Sequence, residues 1–363
     1  MRGLLPLLVA TRLLRTVRCT APAPKKVVFL GTPPVAARSL ELLLEGSRAG
    51  RGGGFEVAAV VSQPPARTGR KMKLTPSPVH ALAEAEGLRL FTPASAKDDD
   101  FLTALAEMQP DLCVTAAYGC FLPQRFLELP TFGTLNIHPS LLPLYRGAAP
   151  VQRCLEAGDA TTGVSVAFTV LKMDAGPILR QTTRPLAGDE QAPELLMELF
   201  ETGTGQLLDA LPSVWDGSSE QLKTPQDHEQ ATPAPKVSRD EANLDLSLVS
   251  ALSAHNRIRG FSGWPGCTCL LQVGDAPPAK AKLLQTRVGD PSCLEGEPSR
   301  VVGLAKGGKS LQLVCGDGSL LEVQKLTMPG KKPVDAKSFW NGLKGNEVRW
   351  LTAAEAEAAA ASD

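Results

Sequence analysis

The sequence of 363 residues predicts an α/β domain built on a mostly parallel sheet, followed by a small β-barrel domain. In the first half, apolar runs of strand length alternate with helical patterns, which is typical of a parallel sheet with right-handed crossovers. In the second half, short β-like runs follow one another with turn signals between them, as in a small barrel. A polar segment with several prolines, residues 216–235, separates the two patterns.

The first half begins with a strand, a tight turn and a helix. The apolar run KVVFLG ends at Gly31, and Pro33 and Pro34 stand where a helix can begin. The alternation continues with buried strands predicted at FEVAAVVS, DLCVTAAYG and GTLNIHP, and with a helix at PSPVHALAEAEG that Gly87 closes. These strands are expected to form the parallel part of the sheet.

Residues 164–186 have the pattern of a β-hairpin. Val164, Val166 and Phe168 alternate with small residues, which predicts a half-buried strand. The turn KMDAGP follows, and ILRQTTRPL returns as the partner strand. Asp174 is therefore expected in a loop at a strand end, before a helix that runs to about Ser213.

The second half contains one predicted helix and five predicted strands. The helix is SLVSALSAHNRIRG, and the strands are CTCLLQV, AKLLQTRV, RVVGLAK, SLQLVC and SLLEVQKL. We therefore predict a first domain at 25–215, a linker at 216–235, a barrel domain at 236–350 and an Ala-rich tail at 351–363.

The first 24 residues are rich in leucine and arginine and contain no acidic residue. This composition predicts an organelle transit peptide at residues 1–24, and the alternative is the cationic tail of a cytosolic protein. No run of eighteen apolar residues occurs, so no membrane span is predicted.

Composition also limits the kind of site. The eight cysteines include no CxxC pair, which favours reduced thiols and no metal site. The turn GTPPVAA lacks the later glycines of a dinucleotide fingerprint, which disfavours NAD. Residues 236–349 carry 16 Lys and Arg against 11 Asp and Glu, and this excess hints at a polyanionic partner, with an ordinary solvated surface as the alternative.

Asn136 and His138 lie at the end of a predicted strand and point to the same side of it. Ligands of open α/β sheets bind at the carboxyl ends of the strands, so Asp174 would complete a trio there if the fold brings it near. Such a trio suits acyl transfer to an amine: Asn136 would donate to the oxyanion, His138 would bond the same oxygen or move a proton, and Asp174 would orient His138 and help deprotonate the amine. The alternative interpretation is a histidine satisfied by the backbone and an ordinary turn aspartate.

The run NIHPSLLPLYRGAAPVQR, with MDAGPIL about thirty residues later, resembles the signature of the folate-dependent formyltransferases. GTPPVAA, SQPPARTGRKMKLTPSPV, AAYG and GWPG extend the resemblance from about Lys26 to Trp350, and they are similar to motifs of the members that act on methionyl-tRNA. The resemblance implies the formyltransferase fold, a Rossmann-like mostly parallel sheet, followed by an OB-like β-barrel that binds tRNA.

The resemblance also implies substrates and residue roles. The formyl donor would be 10-formyltetrahydrofolate, a cosubstrate used without a metal, and the acceptor would be the amino group of initiator methionyl-tRNA. Asn136, His138 and Asp174 take the catalytic positions of the family. The segment that lines the folate site corresponds to Ser140, Leu141, Leu142 and Pro143, of which the two leucines fit a core role equally well.

A basic loop is implied to contact tRNA through Arg67, Arg70, Lys71 and Lys73, and basic loops do fix register on phosphates. Without the resemblance, a solvated loop is the alternative. Candidate tRNA contacts on the barrel are Lys280, Lys282, Lys306, Lys309, Lys331 and Lys332. Leu144 and Tyr145 depart from the basic residue and tryptophan that the family often has there.

Formylated initiator tRNA belongs to bacterial-type translation. Together with the leader, the resemblance therefore implies a monomeric organellar enzyme, mitochondrial in the first place and chloroplast in the alternative. Two other functions remain open: a formyltransferase acting on glycinamide ribonucleotide or a sugar nucleotide, and a tRNA-binding protein that has lost catalysis.

Overall fold

The structure is a computed structural model that describes residues 23–69, 71–293 and 299–360. Residues 1–22 of the predicted transit peptide and Arg70 of the predicted tRNA loop lie outside the described residues. Among the helices of the described part, none is both long and apolar enough to cross a lipid bilayer.

The first half forms a seven-stranded, mostly parallel sheet. The strands of this half are β1 Lys25–Gly31, β2 Phe55–Val61, β3 Ala66–Thr68, β4 Lys73–Thr75, β5 Leu90–Phe91, β6 Leu112–Ala116, β7 Thr134–His138, β8 Arg146–Gly147, β9 Thr161–Phe168 and β10 Ile178–Pro185. The sheet order is β10-β9-β7-β6-β1-β2-β5, in which β9 and β10 are the antiparallel strands. The predicted fold class of this half and the predicted hairpin are confirmed.

Helices cover both faces of this sheet. They are α1 Pro34–Arg48, α2 Pro78–Ala85, α3 Asp99–Met108, α4 Gln124–Leu127, α5 Pro150–Ala157, α6 Ala192–Trp215 and α7 Ser219–Leu222. Side chains of β1 alternate between two cores: Val27 and Phe29 pack with α1 and α6, whereas Val28 and Leu30 pack with α3. Such burial on both faces explains the continuous apolar runs in the sequence.

The segment predicted as a flexible basic loop contains a two-stranded hairpin instead. Strands β3 and β4 pair antiparallel, with Arg67 opposite Leu74 and Thr68 opposite Lys73. All residues of both strands are exposed. Because neither face is buried, the sequence shows no alternation of apolar and polar residues that would predict strands here.

The second half forms a closed antiparallel barrel. Besides β11 Pro233–Ala234, which pairs with β8 outside the barrel, the elements of this half are α8 Ala251–Gly260, β12 Thr268–Val273, β13 Ala279–Gly289, β14 Gly303–Leu304, β15 Leu311–Val314, β16 Leu320–Thr327, β17 Val334–Asp335, α9 Ala336–Gly342, β18 Val348–Leu351 and α10 Ala353–Ala360. The order β14-β15-β16-β13-β12-β18 closes where Val301 bridges Arg349. The predicted OB-like barrel is confirmed, and β17 and β18 are additional strands that the sequence did not predict.

The connection between the two sheets does not run free as a linker. Thr224 pairs with Ile178 at the start of β10, and β11 pairs in parallel with β8. Residues 224–234 therefore lie against the loops at one edge of the first sheet, and we call this segment the strap. Beyond it, α8 packs against α5 and joins the barrel to the first half.

Candidate active site

The predicted trio lies at the carboxyl end of β7, in the middle of the first sheet. Leu135 and Ile137 point into the apolar core, so the alternating Asn136 and His138 point to the opposite side. Asp174 follows β9 in the loop that leads to β10. The structure therefore brings all three predicted side chains to one place.

Asn136 is oriented by a neighbouring strand. Thr115 on β6 is buried, and its Oγ1 donates a hydrogen bond of 2.7 Å to Asn136 Oδ1. Because the carbonyl end of the amide is held by Thr115, the other end presents its two N–H donors. This orientation is the one that stabilisation of an oxyanion requires.

His138 is held at one ring nitrogen and faces a carboxylate with the other. Its Nε2 lies 3.0 Å from the carbonyl oxygen of Tyr145, which can only accept, so Nε2 carries the proton. The neutral ring then has its lone pair on Nδ1, which lies 3.7 Å from Asp174 Oδ1. Nδ1 can therefore take up a proton beside a carboxylate that stabilises the resulting cation.

The carboxylate of Asp174 is held by a backbone N–H group of the loop after β7. It has a left-handed backbone with φ of 48°, a conformation that is costly for a residue with a side chain. Its Oδ2 accepts a hydrogen bond of 2.9 Å from the Gly147 N–H. The remaining Oδ1 is the oxygen that faces His138.

The segment predicted to line a folate site forms a tight loop after β7. Ser140 Oγ donates to the Leu144 carbonyl at 2.6 Å, and Ser165 Oγ donates to the Ser140 carbonyl at 2.7 Å. Ser140 and Leu142 are buried, whereas Leu141 and Pro143 are half-buried. Leu141 and Pro143 are therefore the two whose side chains can contact a ligand without rearrangement.

Tyr145 links this loop to the turn that follows α5. Its hydroxyl donates to Asp159 Oδ2 at 2.7 Å, and its backbone φ is 60°. Burial raises the pKa of Tyr145, and the hydrogen bond to Asp159 raises it further, so the phenol stays a neutral donor. This bond holds the residue whose carbonyl fixes His138.

Several residues that build the site had no signal in the sequence. Thr115 is one polar residue in a buried strand, and the role of Tyr145 rests on its backbone carbonyl. Gln226 lies in the strap, where its amide contacts the carbonyl of Asp174. The sequence assigned that segment to a linker, because polar residues around prolines carry no period.

Three of the predicted tRNA residues lie in the described part of the hairpin and are exposed, namely Arg67, Lys71 and Lys73. Lys73 pairs with Thr68 and shares its face, and Arg67, the neighbour of Thr68 in the strand, points to the opposite face of the hairpin. Lys71 lies in the turn between the strands and is exposed.

The predicted barrel cations differ in burial. Lys282 is half-buried and donates to the Pro265 carbonyl at 3.2 Å, and Lys280 donates to Asn243 Oδ1 at 3.1 Å. Lys280 is exposed, and so are Lys306, Lys309, Lys331 and Lys332. Among the described residues, no group of three or more His, Cys, Asp or Glu side chains could hold a metal ion.

Comparison with known proteins gives a consistent result over both halves. The formyl transferase family matches residues 25–211, and the C-terminal domain of formyl transferases matches residues 236–344. A methionyl-tRNA formyltransferase of Kosmotoga olearia is 35% identical over 89% of this chain and 97% of its own length. One of Pseudomonas putida is 37% identical over 88% of this chain and 96% of its own length.

Solved structures share the fold at low identity. An N-formyltransferase from Helicobacter canadensis in complex with folinic acid and dTDP-3-aminofucose superposes with a TM-score of 0.58 at 14% identity. The match covers 83% of this chain and 98% of that chain. At this identity the likeness shows the fold alone.

Proposed function

Because the chain belongs to the formyl transferase family, we propose that it transfers the formyl group of 10-formyltetrahydrofolate to the amino group of initiator methionyl-tRNA. Relatives named methionyl-tRNA formyltransferase match it over nearly their whole length, barrel included. The observation that carries the chemistry is the approach of His138 Nδ1 to Asp174 Oδ1 at 3.7 Å beside the Asn136 amide.

In the proposed reaction, the methionyl amine attacks the formyl carbon and forms a tetrahedral oxyanion. The Asn136 N–H group donates to that oxygen. It is available because Thr115 holds the carbonyl end of the same amide. His138 Nδ1 accepts the proton that the amine loses, and Asp174 stabilises the protonated ring. The bond from the formyl carbon to N10 of the folate then breaks, and N10 takes the proton as it leaves.

The exposed cations support tRNA as the acceptor rather than a small molecule. The hairpin carries Arg67 and Lys73 on its two faces, and the exposed lysines of the barrel include Lys309, Lys331 and Lys332. Cations of this kind bind phosphates without regard to sequence, so the interaction should weaken as salt increases. A sugar nucleotide or glycinamide ribonucleotide would use the same trio without needing either surface.

Formyl transfer from 10-formyltetrahydrofolate tests the proposal directly. We expect transfer to methionyl-tRNA, and no comparable transfer to glycinamide ribonucleotide or to an amino-sugar nucleotide. Transfer to a small acceptor instead of tRNA would show that the trio serves a different substrate. Binding of tRNA without any transfer would show a tRNA-binding protein that lacks catalysis.

We further propose that the enzyme serves organellar translation, in mitochondria or alternatively in chloroplasts, and that it acts as a monomer. The acid-free, arginine-rich start of the sequence supports the organelle. A fluorescent reporter fused to residues 1–40 should enter the organelle, and a cytosolic reporter would refute the targeting role. Light scattering of the purified protein measures its molar mass, and we expect the mass of a single chain.

A further inference from the structure

The strap, residues 224–234, touches both loops that hold the trio. Thr224 and Ile178 exchange backbone hydrogen bonds of 2.8 Å, so the strap borders the loop of Asp174. On the other side, Thr232 Oγ1 accepts from the Tyr145 N–H at 2.8 Å, and its carbonyl accepts from the Arg146 N–H at 2.8 Å. The strap therefore contacts the loop that fixes His138 as well.

Gln226 makes the connection between these two loops through one side chain. It is 7% exposed. Its Nε2 donates to the carbonyls of Asp174 at 2.8 Å and Gly176 at 2.6 Å. Its Oε1 accepts from Arg146 Nε at 3.1 Å and Nη2 at 2.6 Å. Both ends of the amide are thus engaged in the interior.

We propose that Gln226 is a positioning residue that sets the placement of Asp174 against His138, so that the connection between the domains is part of the active site. The proposal rests on the catalytic role given above to the trio. Asp174 needs outside support because its left-handed backbone is unfavourable for a non-glycine residue. The two bonds from Gln226 reach carbonyls at residues 174 and 176 and supply that support.

The same side chain also fixes the opposite side of the site. Arg146, which Gln226 holds, precedes Gly147, whose N–H donates to Asp174 Oδ2 at 2.9 Å. Arg146 also follows Tyr145, whose carbonyl holds His138 Nε2. A displacement of Gln226 therefore moves the carboxylate, the ring or both, and a displacement of about 1 Å between reacting groups can reduce a rate about a hundredfold.

Two substitutions separate the parts of this role. Gln226→Met keeps the length of the side chain and removes both ends of the amide. Gln226→Glu keeps the acceptor for Arg146 and removes the two donors to the Asp174 loop. We expect kcat for methionyl-tRNA to fall about tenfold or more in both variants, with KM nearly unchanged because the hairpin and the barrel are untouched.

Gln272 provides a matched control in the barrel. It is 9% exposed, and its Oε1 likewise accepts from an arginine, Arg349, through Nε at 3.0 Å and Nη2 at 2.8 Å. Gln272→Met removes an equivalent buried bridge far from the trio in the chain. We expect a similar loss of thermal stability and an unchanged kcat.

A second measurement tests the position of Asp174 beside His138 without using methionyl-tRNA. The nitrogen-15 chemical shift of His138 Nδ1 at fixed pH reports on the carboxylate beside it. We expect Gln226→Met to move this shift toward its value in Asp174→Ala, and Gln272→Met to leave it unchanged. An unchanged shift in Gln226→Met would overturn the positioning role even if kcat fell.

The outcomes also separate this inference from the proposed function. A wild-type protein that fails to formylate methionyl-tRNA refutes the proposed function, while the shift of His138 still decides the role of Gln226. An active wild type with full kcat in both Gln226 variants overturns the inference alone. Loss of activity in Gln226→Met but not in Gln226→Glu would overturn the role of the two donors to the Asp174 loop, because the bond from Arg146 would then suffice.

Discussion

His138 illustrates how a backbone carbonyl decides the chemistry of a side chain. The Tyr145 carbonyl accepts from Nε2, and this leaves Nδ1 as the one ring atom that can exchange a proton near Asp174. The ring is 4% exposed, so bulk water has little access to compete for that proton. A buried imidazole with a fixed tautomer and a carboxylate nearby is the arrangement expected of a general base.

Formyl transfer should depend on both His138 and Asp174. His138→Ala and Asp174→Ala should each reduce kcat for formyl transfer on the order of a hundredfold or more, because proton transfer and its electrostatic support are lost. His80→Ala is the control: His80 lies on α2, where its Nε2 is 3.2 Å from Glu84. Steady-state assays check the result, and near wild-type turnover of either site variant would contradict the assignment of the trio.

The sequence predicts the side chains proposed to take part in the reaction, but it does not predict the residues that hold those side chains in place. Asn136 and His138 could be predicted because their spacing of two in a strand places both on one side. Thr115 and Gln226 could not, since their roles depend on register with β7 and on a chain reversal some fifty residues beyond Asp174. Contacts at such separations leave no periodic pattern in the sequence.

Helix α6 supports the strands that carry the site. Gly203 lies beneath β7 and β9: a Cβ at this position would be 2.6 Å from Ile137 Cγ2 and 2.6 Å from Val164 Cγ2. Two residues further on, Gly205 has open space where a Cβ would stand. The two glycines share one helix and differ only in what they face.

This pair gives a prediction with an internal control. Gly203→Ala should destabilise the protein by about 1–3 kcal/mol, because the added methyl overpacks the core under Asn136 and His138. Gly205→Ala should stabilise it by about 0.5–1 kcal/mol, because alanine loses less backbone entropy in a helix. Urea unfolding measures both, and equal effects of the two changes would contradict the packing described for α6.

The sequence predicts strands well where one or both faces of the strand are buried. Strands β1, β2, β6 and β7 and the hairpin β9–β10 follow from apolar runs and alternation. The exposed hairpin β3–β4 was missed because pairing without burial leaves no such pattern. Strands β5, β17 and β18 were also missed; they have two, two and four residues and lie outside the apolar runs from which strands were predicted.

The two halves of the molecule meet through charged side chains around α5 and α8. Arg153 Nη1 on α5 lies 2.6 Å from Glu241 Oε2, just after the strap, and 2.8 Å from Glu156 Oε2. Arg257 on α8 contacts Glu156 at 3.2 Å. The sequence predicted two domains and a polar connection, but the partners in this network lie up to a hundred residues apart and could be assigned only from the fold.

The pH dependence of stability tests this contact. The hydrogen bond from Arg153 lowers the pKa of Glu241 to about 2 from its ordinary value of 4.5. Because the folded value is the lower one, Glu241 stabilises the fold above pH 4.5, and this contribution is lost as the pH falls toward about 2. Glu241→Gln should therefore lower stability at pH 7 by about 1 kcal/mol or less, since Glu241 is partly exposed, and the difference should shrink below pH 4.5.

Urea midpoints of the wild type and Glu241→Gln between pH 7 and pH 3 measure the effect. Glu107→Gln on α3 is the control, because this exposed carboxylate has no ion pair within 4.0 Å among the described residues and carries the same change of charge. The urea midpoint of Glu107→Gln should differ little from that of the wild type at every pH. A Glu241→Gln difference that stays constant from pH 7 to pH 3 would mean that Arg153 does not join the two halves through this carboxylate.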